Sequence, residues 1–361
     1  MGRWLRRGAL ALAALAVVLA APVVWIESAC AVRRSPGVRA PAPLVNDPGY
    51  VRRTSDGYLS FPEWHIVYAY DDLAAVLEQR DPSAFAHTRQ VAGFWRSLCG
   101  LTRLATARSP VGADMRVMLY TIGWSFTVEL AVKGAYENTV GRTFEWLRGP
   151  ERTAEDAFVA RDMRAYAGFL RQTPWYEYPF AARLAAFWRE TPLGGPGMAR
   201  KLERRVAVTL EYGVKAVYGA AIGWASATAL GAADLEIHTV VAGLEPADAA
   251  RDPRIRIVRA LGDGRTLIRT PRYQAYTDVL VDLARRGHDV VEIAGNRRIL
   301  VTVLAPRGSA PAPPGSAVIF QMPIQSRPDR QRVGLDVAVD RLAEAIRALE
   351  RAGVAIEHVY E

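Results

Sequence analysis

The chain has 361 residues, half of them hydrophobic, and a net charge of +9. That length accommodates a membrane anchor and two domains of ordinary size with substantial cores. Only three of the 46 basic residues are lysine, and no basic cluster is interleaved with aromatics; a nucleic-acid surface is excluded, and the excess charge fits attraction to anionic lipid headgroups.

Arg3, Arg6 and Arg7 precede an apolar run over 8–26 that ends with Trp25 and Ile26 before Glu27. At about 1.5 Å per residue such a helix just spans a ~30 Å hydrocarbon layer. Ala29-Cys30-Ala31 is a small-x-small cleavage signal, but the apolar run exceeds that of an ordinary signal peptide, which favours an uncleaved anchor over 1–30. Glu27 stands where a lipoprotein signal before Cys30 needs an apolar or small residue. The early arginines favour an inside N-terminus, and Arg33, Arg34 and Arg39 blunt that bias. The expectation is a lipid bilayer crossed by residues 8–26 in a bacterial inner membrane, with the bulk of the chain periplasmic. Cys30 and Cys99 give neither metal spacing nor a disulfide framework; a bridge between them needs an oxidising compartment, and Cys30 within reach from the membrane boundary.

Residues 31–56 are rich in Pro, Arg and Gly and read as a flexible tether. A helical domain over 57–233 follows. Ser60-Phe61-Pro62-Glu63 reads as a capping box opening a helix to Gln79. Asp81-Pro82 opens a second helix to Ala107, and a long one covers 114–147. Thr153 and Asp156 form another capping box, whose helix ends before Pro174. A short helix near 178–190 stops at a Gly/Pro cluster, and the last runs from Gly197 to Gly231. Gly194-Gly195-Pro196-Gly197 before Arg200-Lys201 has the look of an anion cradle, although such clusters are usually plain linkers. Residues 216–233 carry no charge and place Gly219, Gly223, Ala227 and Gly231 every fourth position, a stripe that admits a close helix neighbour or a dip into lipid.

From Glu236 the pattern turns β-branched and alternating. Strands 254–261 and 265–270 flank Gly262-Asp263-Gly264, a hairpin signal. Helix 273–286, strands 289–294 and 298–305, a loop over 306–315, strand 316–324, a polar loop, helix 335–351 and strand 354–360 complete the chain. The fold class is α+β: an N-terminal transmembrane helix, an all-α bundle, and an α+β domain over 236–361 with two β-α-β units. Their helix-Gly-strand endings, at Gly287 and Gly353, resemble ferredoxin-like ligand-binding modules of the ACT type, and the duplication is similar to GyrI-like domains. Ser60 through Tyr68, Tyr136 through Arg142 and the stretch 200–218 resemble a family of bacterial membrane-anchored proteins to which no activity is attached.

Residues 126–136 match residues 208–218: Thr, Glu, Val, Lys and Tyr recur at equal spacing. Glu129/Lys133 and Glu211/Lys215 stand at i, i+4 in the favourable order, and hold two of the chain's three lysines. One reading is two similar helices with ordinary salt bridges. The sharper one is a pseudo-symmetric pair of facing helices that gathers Glu129, Lys133, Glu211 and Lys215 into a ligand or proton site, with Glu137 continuing the first helix. His65 joins the candidates because Glu63-Trp64-His65 offers acid/base groups, although i and i+2 do not share a helix face. The five histidines are scattered, and neither a Gly-x-Ser-x-Gly elbow nor a Gly-rich phosphate loop occurs. The sequence therefore calls for neither cofactor nor metal. It reads as a non-enzymatic accessory component that binds a small ligand or an envelope partner. The alternatives are a multi-pass protein with a polar Glu/Lys site for transport or proton-coupled chemistry, and an enzyme using Glu63 and His65.

Overall fold

A computed structural model describes residues 6–7, 20–32, 42–47, 49–226 and 236–361. Most of the expected anchor, residues 8–19, lies outside them, as do residues 227–235 at the end of the expected last helix. Among the described residues no helix is long and apolar enough to cross a membrane. Residues 20–25 are helical and pass into a π turn, Ile26–Cys30. Cys30 is bonded to Cys99, with Cα atoms 5.2 Å apart. Glu27 accepts from Arg116 at 2.6 Å and from Tyr120 at 2.5 Å. The segment that leaves the expected anchor is thus fastened to the bundle.

The helical part comprises α1 (Thr54–Leu59), α2 (Phe61–Gln79), α3 (His87–Arg108), α4 (Ala113–Tyr136), α5 (Arg142–Arg148), α6 (Ala154–Leu170), α7 (Phe180–Glu190) and α8 (Met198–Ser226). A π turn, Glu137–Gly141, joins α4 to α5 where one uninterrupted helix was expected. Thr153 and Asp156 form the expected reciprocal cap on α6. The box expected at Ser60 does not form: α1 already leads into α2 there, and the Ser60 hydroxyl donates backwards to the Gly57 carbonyl at 2.8 Å. Of the expected flexible tether over 31–56, residues 33–41 and 48 lie outside the described ones, and part of the remainder is packed. Val45 and Tyr50 are buried against Val240 and Leu267, and the Tyr50 hydroxyl donates to the buried Glu292 at 2.8 Å.

The C-terminal part holds two four-stranded sheets, ordered β2-β3-β1-β4 and β6-β7-β5-β8. The first contains β1 (Glu236–Ala242), β2 (Arg256–Gly262), β3 (Arg265–Pro271) and β4 (Asp289–Ile293); the second contains β5 (Arg298–Pro306), β6 (Ser316–Pro323), β7 (Arg330–Ala338) and β8 (Ala355–Tyr360). Helix α9 (Gln274–Arg285) joins β3 to β4, and α10 (Leu342–Arg351) joins β7 to β8. Since β1 runs antiparallel to both β3 and β4, those two strands are parallel with β1 between them; β7 and β8 flank β5 in the same way. Each half is therefore a split βαβ unit with a hairpin strand added, and the two halves share one connectivity. Strand β7 corrects the expected helix over 335–351, which starts only at Leu342. Val333, Leu335 and Val337 alternate into the core, the period of two that a strand imposes.

One apolar core runs from α9 and α10 into both sheets. The helical part is not a separate body: Tyr58, Phe61 and Phe94 share a core with Leu300 of β5 and Tyr360 of β8. Gly57 is needed at that contact, because a Cβ there would stand 3.0 Å from the Tyr360 carbonyl oxygen. Arg108 ion-pairs with Asp336 across the same boundary, and Tyr58 donates to Asp336.

Candidate functional site

Helices α2, α4, α6 and α8 surround a cavity of about 1530 Å³. That exceeds the roughly 300–1,000 Å³ of ordinary small-molecule pockets. Its walls are mostly apolar, and the matched Glu/Lys segments of α4 and α8 face each other across it. Lys133 donates to both oxygens of Glu211, at 2.9 and 3.1 Å. Lys215 reaches Glu129 at 2.7 Å and Glu211 at 3.2 Å. Tyr70 of α2 donates to Glu129 at 2.5 Å. The four candidate charges are thus brought together. The pairing is crossed: Glu211–Lys215 forms within its helix, while Lys133 bonds to the opposite helix.

Lys215 is the buried centre of the cluster. Its ammonium lies 5.4–5.5 Å from the ring centroids of Tyr70, Tyr166 and Phe180, a cation–π cage. Burial alone would lower its pKa, but Glu129, Tyr70 and Glu211 raise it well above the usual lysine value. Burial would raise the Glu211 carboxyl, but Lys133 and Lys215 hold it well below the carboxylate range. Both groups stay charged at neutral pH and are poorly matched to proton exchange there. The lysine side chains are 12–14 % exposed, Glu211 27 % and Glu129 31 %. Within the cluster the two carboxylate side chains are thus more open than the two ammonium groups, and a carboxylate is an acceptor for a ligand's donor.

Glu137 is buried beside this cluster and lines the cavity, but its partners differ. It forms a two-pronged pair with Arg204 at 2.9 and 3.1 Å. Burial raises its pKa, against the pull of Arg204. Arg204 belongs to a buried network that sequence reasoning missed. Arg200, fully buried, donates to Asp156 at 2.9 and 3.1 Å, to Glu203 at 2.9 Å and to the Gly141 carbonyl at 3.2 Å. Arg205 pairs with Glu155 at 3.1 Å. Buried ions are costly unless fully partnered, and here opposite charges from the π turn, α6 and α8 meet. The available signal was Arg200-Lys201-Leu202-Glu203-Arg204-Arg205, too many charges for one solvent-facing stripe. Gly141 in the family-like segment is explained as well: a Cβ there would lie 2.3 Å from a Glu137 carboxylate oxygen. The Gly/Pro cluster before α8 is not arranged as an anion cradle, in keeping with its reading as a plain linker. Lys201 turns back to donate to the Pro192 and Gly194 carbonyls at 2.9 and 2.8 Å, and Arg200 is consumed by carboxylates.

His65 stands apart from the cavity. It is buried, its Nε2 lies 2.9 Å from the Gln90 carbonyl oxygen, and burial lowers its pKa to about 4. Its ring packs on Phe61, Phe94 and Phe126. Glu63 is exposed to the cavity on another face of α2, so the two do not form an acid/base pair. The Gly stripe of α8 admits a turn in place of a helix: a Cβ at Gly219 would meet the Tyr176 carbonyl oxygen at 3.1 Å. Among the described residues no three His, Cys, Asp or Glu side chains stand together to hold a metal ion. Compared with family models, curated proteins and solved structures, the chain matches none.

Proposed function

We propose that this protein is a bacterial inner-membrane component, anchored by residues 8–26, whose periplasmic bulk binds a small ligand or partner without transforming it. The observation that carries the reading is the apolar cavity with an ionised Glu/Lys cluster in its wall. Groups locked in their charged states suit recognition better than proton transfer. The Cys30–Cys99 bridge supports the compartment, since disulfides persist where the surroundings oxidise. The segments resembling membrane-anchored proteins lie at supporting positions: Phe61, Trp64 and Tyr68 pack on the C-terminal sheet, and Glu137 and Gly141 seat α8. The split βαβ of each half supports placing 236–361 among ferredoxin-like ligand-binding modules.

A second reading, a multi-pass protein with an intramembrane Glu/Lys site, draws on the exposed valines of α8. Reporters fused after residues 50, 150 and 240 separate the two. All three in the periplasm is the expected outcome, and a change of compartment between 150 and 240 favours the second. The binding site itself is tested on the full chain in amphipol. N-phenyl-1-naphthylamine should bind saturably, one per chain, and Val132→Arg at the mouth should abolish it. Absence of saturable binding overturns the cavity as a site.

A further inference from the structure

The cavity opens through a greasy mouth. Val128 and Val132 of α4 and Leu210, Val214 and Tyr218 of α8 line it, and these same residues are 47–67 % exposed at the surface. Each belongs to a longer row. On α4 the row runs through Val117, Trp124, Val128 and Val132; on α8 it continues from Leu202 and Val206 to Val217 and Trp224, which is 86 % exposed. Spacings of three, four and seven put each row on one helix face. A water-facing helix pair would not keep such rows bare. The backbones of α4 and α8 make few close approaches, and the charge pairs hold the two helices across the gap.

What lies against this mouth is indicated by the N-terminal segment. The bridge of Cys30 to Cys99 and the contacts of Glu27 with Arg116 and Tyr120 fix the end of the expected span beside the first turns of α4. The α4 row begins there, at Val117. The apolar residues 8–19 precede this anchorage directly in the chain. On the anchored reading, the α4 row therefore starts where the chain leaves the bilayer.

We infer that the cavity takes a membrane lipid, drawn through the α4/α8 mouth, with its alkyl chains on the apolar walls and an amine at its polar end donating to Glu129 and Glu211. The inference rests on the reading of the cavity as a binding site and names its ligand class. Three observations converge on it. The volume exceeds that of ordinary small-ligand pockets, the entrance is apolar, and within the charge cluster the Glu129 and Glu211 side chains are more exposed than the two lysines.

The test uses the full chain reconstituted in phosphatidylglycerol vesicles carrying a trace of phosphatidylethanolamine with a photoreactive group on its acyl chain. Irradiation should label peptides of α4 and α8. Val132→Arg sits at an exposed position that tolerates arginine; it should cut labelling about tenfold while leaving the melting temperature unchanged. The same photoreactive chain on phosphatidylglycerol should label about tenfold less, the effect of one charge-assisted hydrogen bond, and Glu129→Gln should erase that difference. Labelling that ignores Val132→Arg, or that is equal for the two headgroups, overturns the inference. So does efficient disulfide crosslinking of Val132→Cys between two chains, which would assign the mouth to a second copy. If naphthylamine binds and the lipid does not label, only the lipid assignment falls; if neither binds, the site reading falls with it.

Discussion

Single side chains here do their work mainly by being denied water. His65 is the clearest case, since burial holds its pKa at about 4 against the ordinary 6.5. A depressed folded-state pKa means that the unfolded chain takes up the proton first as pH falls. The stability contributed by neutral His65 is complete above about pH 6.5 and is lost as the pH drops toward 4. At pH 5 the loss amounts to about 2 kcal/mol. His358, lowered by burial to about 3, adds a second loss of the same sign. Melting temperatures should therefore fall between pH 7 and pH 5, and His65→Phe, whose ring suits the surrounding phenylalanines, should shrink that fall. An unchanged pH dependence in the variant would show that His65 carries no such linkage. The lysines follow the same logic. In a chain that writes arginine nearly everywhere, Lys133, Lys201 and Lys215 each hold a compact ammonium among oxygens in a largely buried place: Lys133 on both oxygens of Glu211, Lys201 on the Pro192 and Gly194 carbonyls, and Lys215 between Glu129 and Glu211.

At the scale of elements, the bridge between the Ile26–Cys30 turn and α3 is the most exposed to test. It closes a loop across a separation of 69 residues, for which chain entropy gives about 4 kcal/mol. Reductant should lower the melting temperature of the wild-type chain and leave Cys30→Ser, already lowered, unmoved; equal melting of the two proteins without reductant would deny the bridge a role. Some helix ends were legible from a cap or a proline, as at Thr153 and Pro174, but not all: the Ser60 box does not form, and the helix expected to open at Asp81-Pro82 starts only at His87, after a short 3-10 turn over Pro82–Ala84. The gathering of Glu129, Lys133, Glu211 and Lys215 was legible because the repeat carries their spacing twice. Strand β7 was not: a helical pattern starting at 335 overrode the alternation of Val333, Leu335 and Val337. The arginine network of α8 was hidden for another reason, since its partners come from segments 40–70 residues away in sequence, with Asp156 and Glu137 among them.

Across the whole molecule, the helical and α+β parts are joined by polar latches as well as by a shared core. Asp72 of α2 is buried and accepts from the Gln325 and Ser326 amides at 2.9 and 2.5 Å and from Gln90 at 3.1 Å. Removing it orphans backbone donors in the loop between β6 and β7, at a cost of about 2–4 kcal/mol. Calorimetry should show one transition for both parts, and Asp72→Ala should shift that single peak downward. Two separate peaks in the wild-type protein would contradict the joint core. Sequence could not foretell this union, because Phe61 and Tyr360 read locally as ordinary core residues of two different domains. The disulfide has a mechanical consequence too. On the anchored reading proposed above, a pull on the N-terminal segment enters the bundle at the middle of α3, through the covalent link of Cys30 to Cys99. It is thus delivered to the helix packed beside α4, one wall of the cavity.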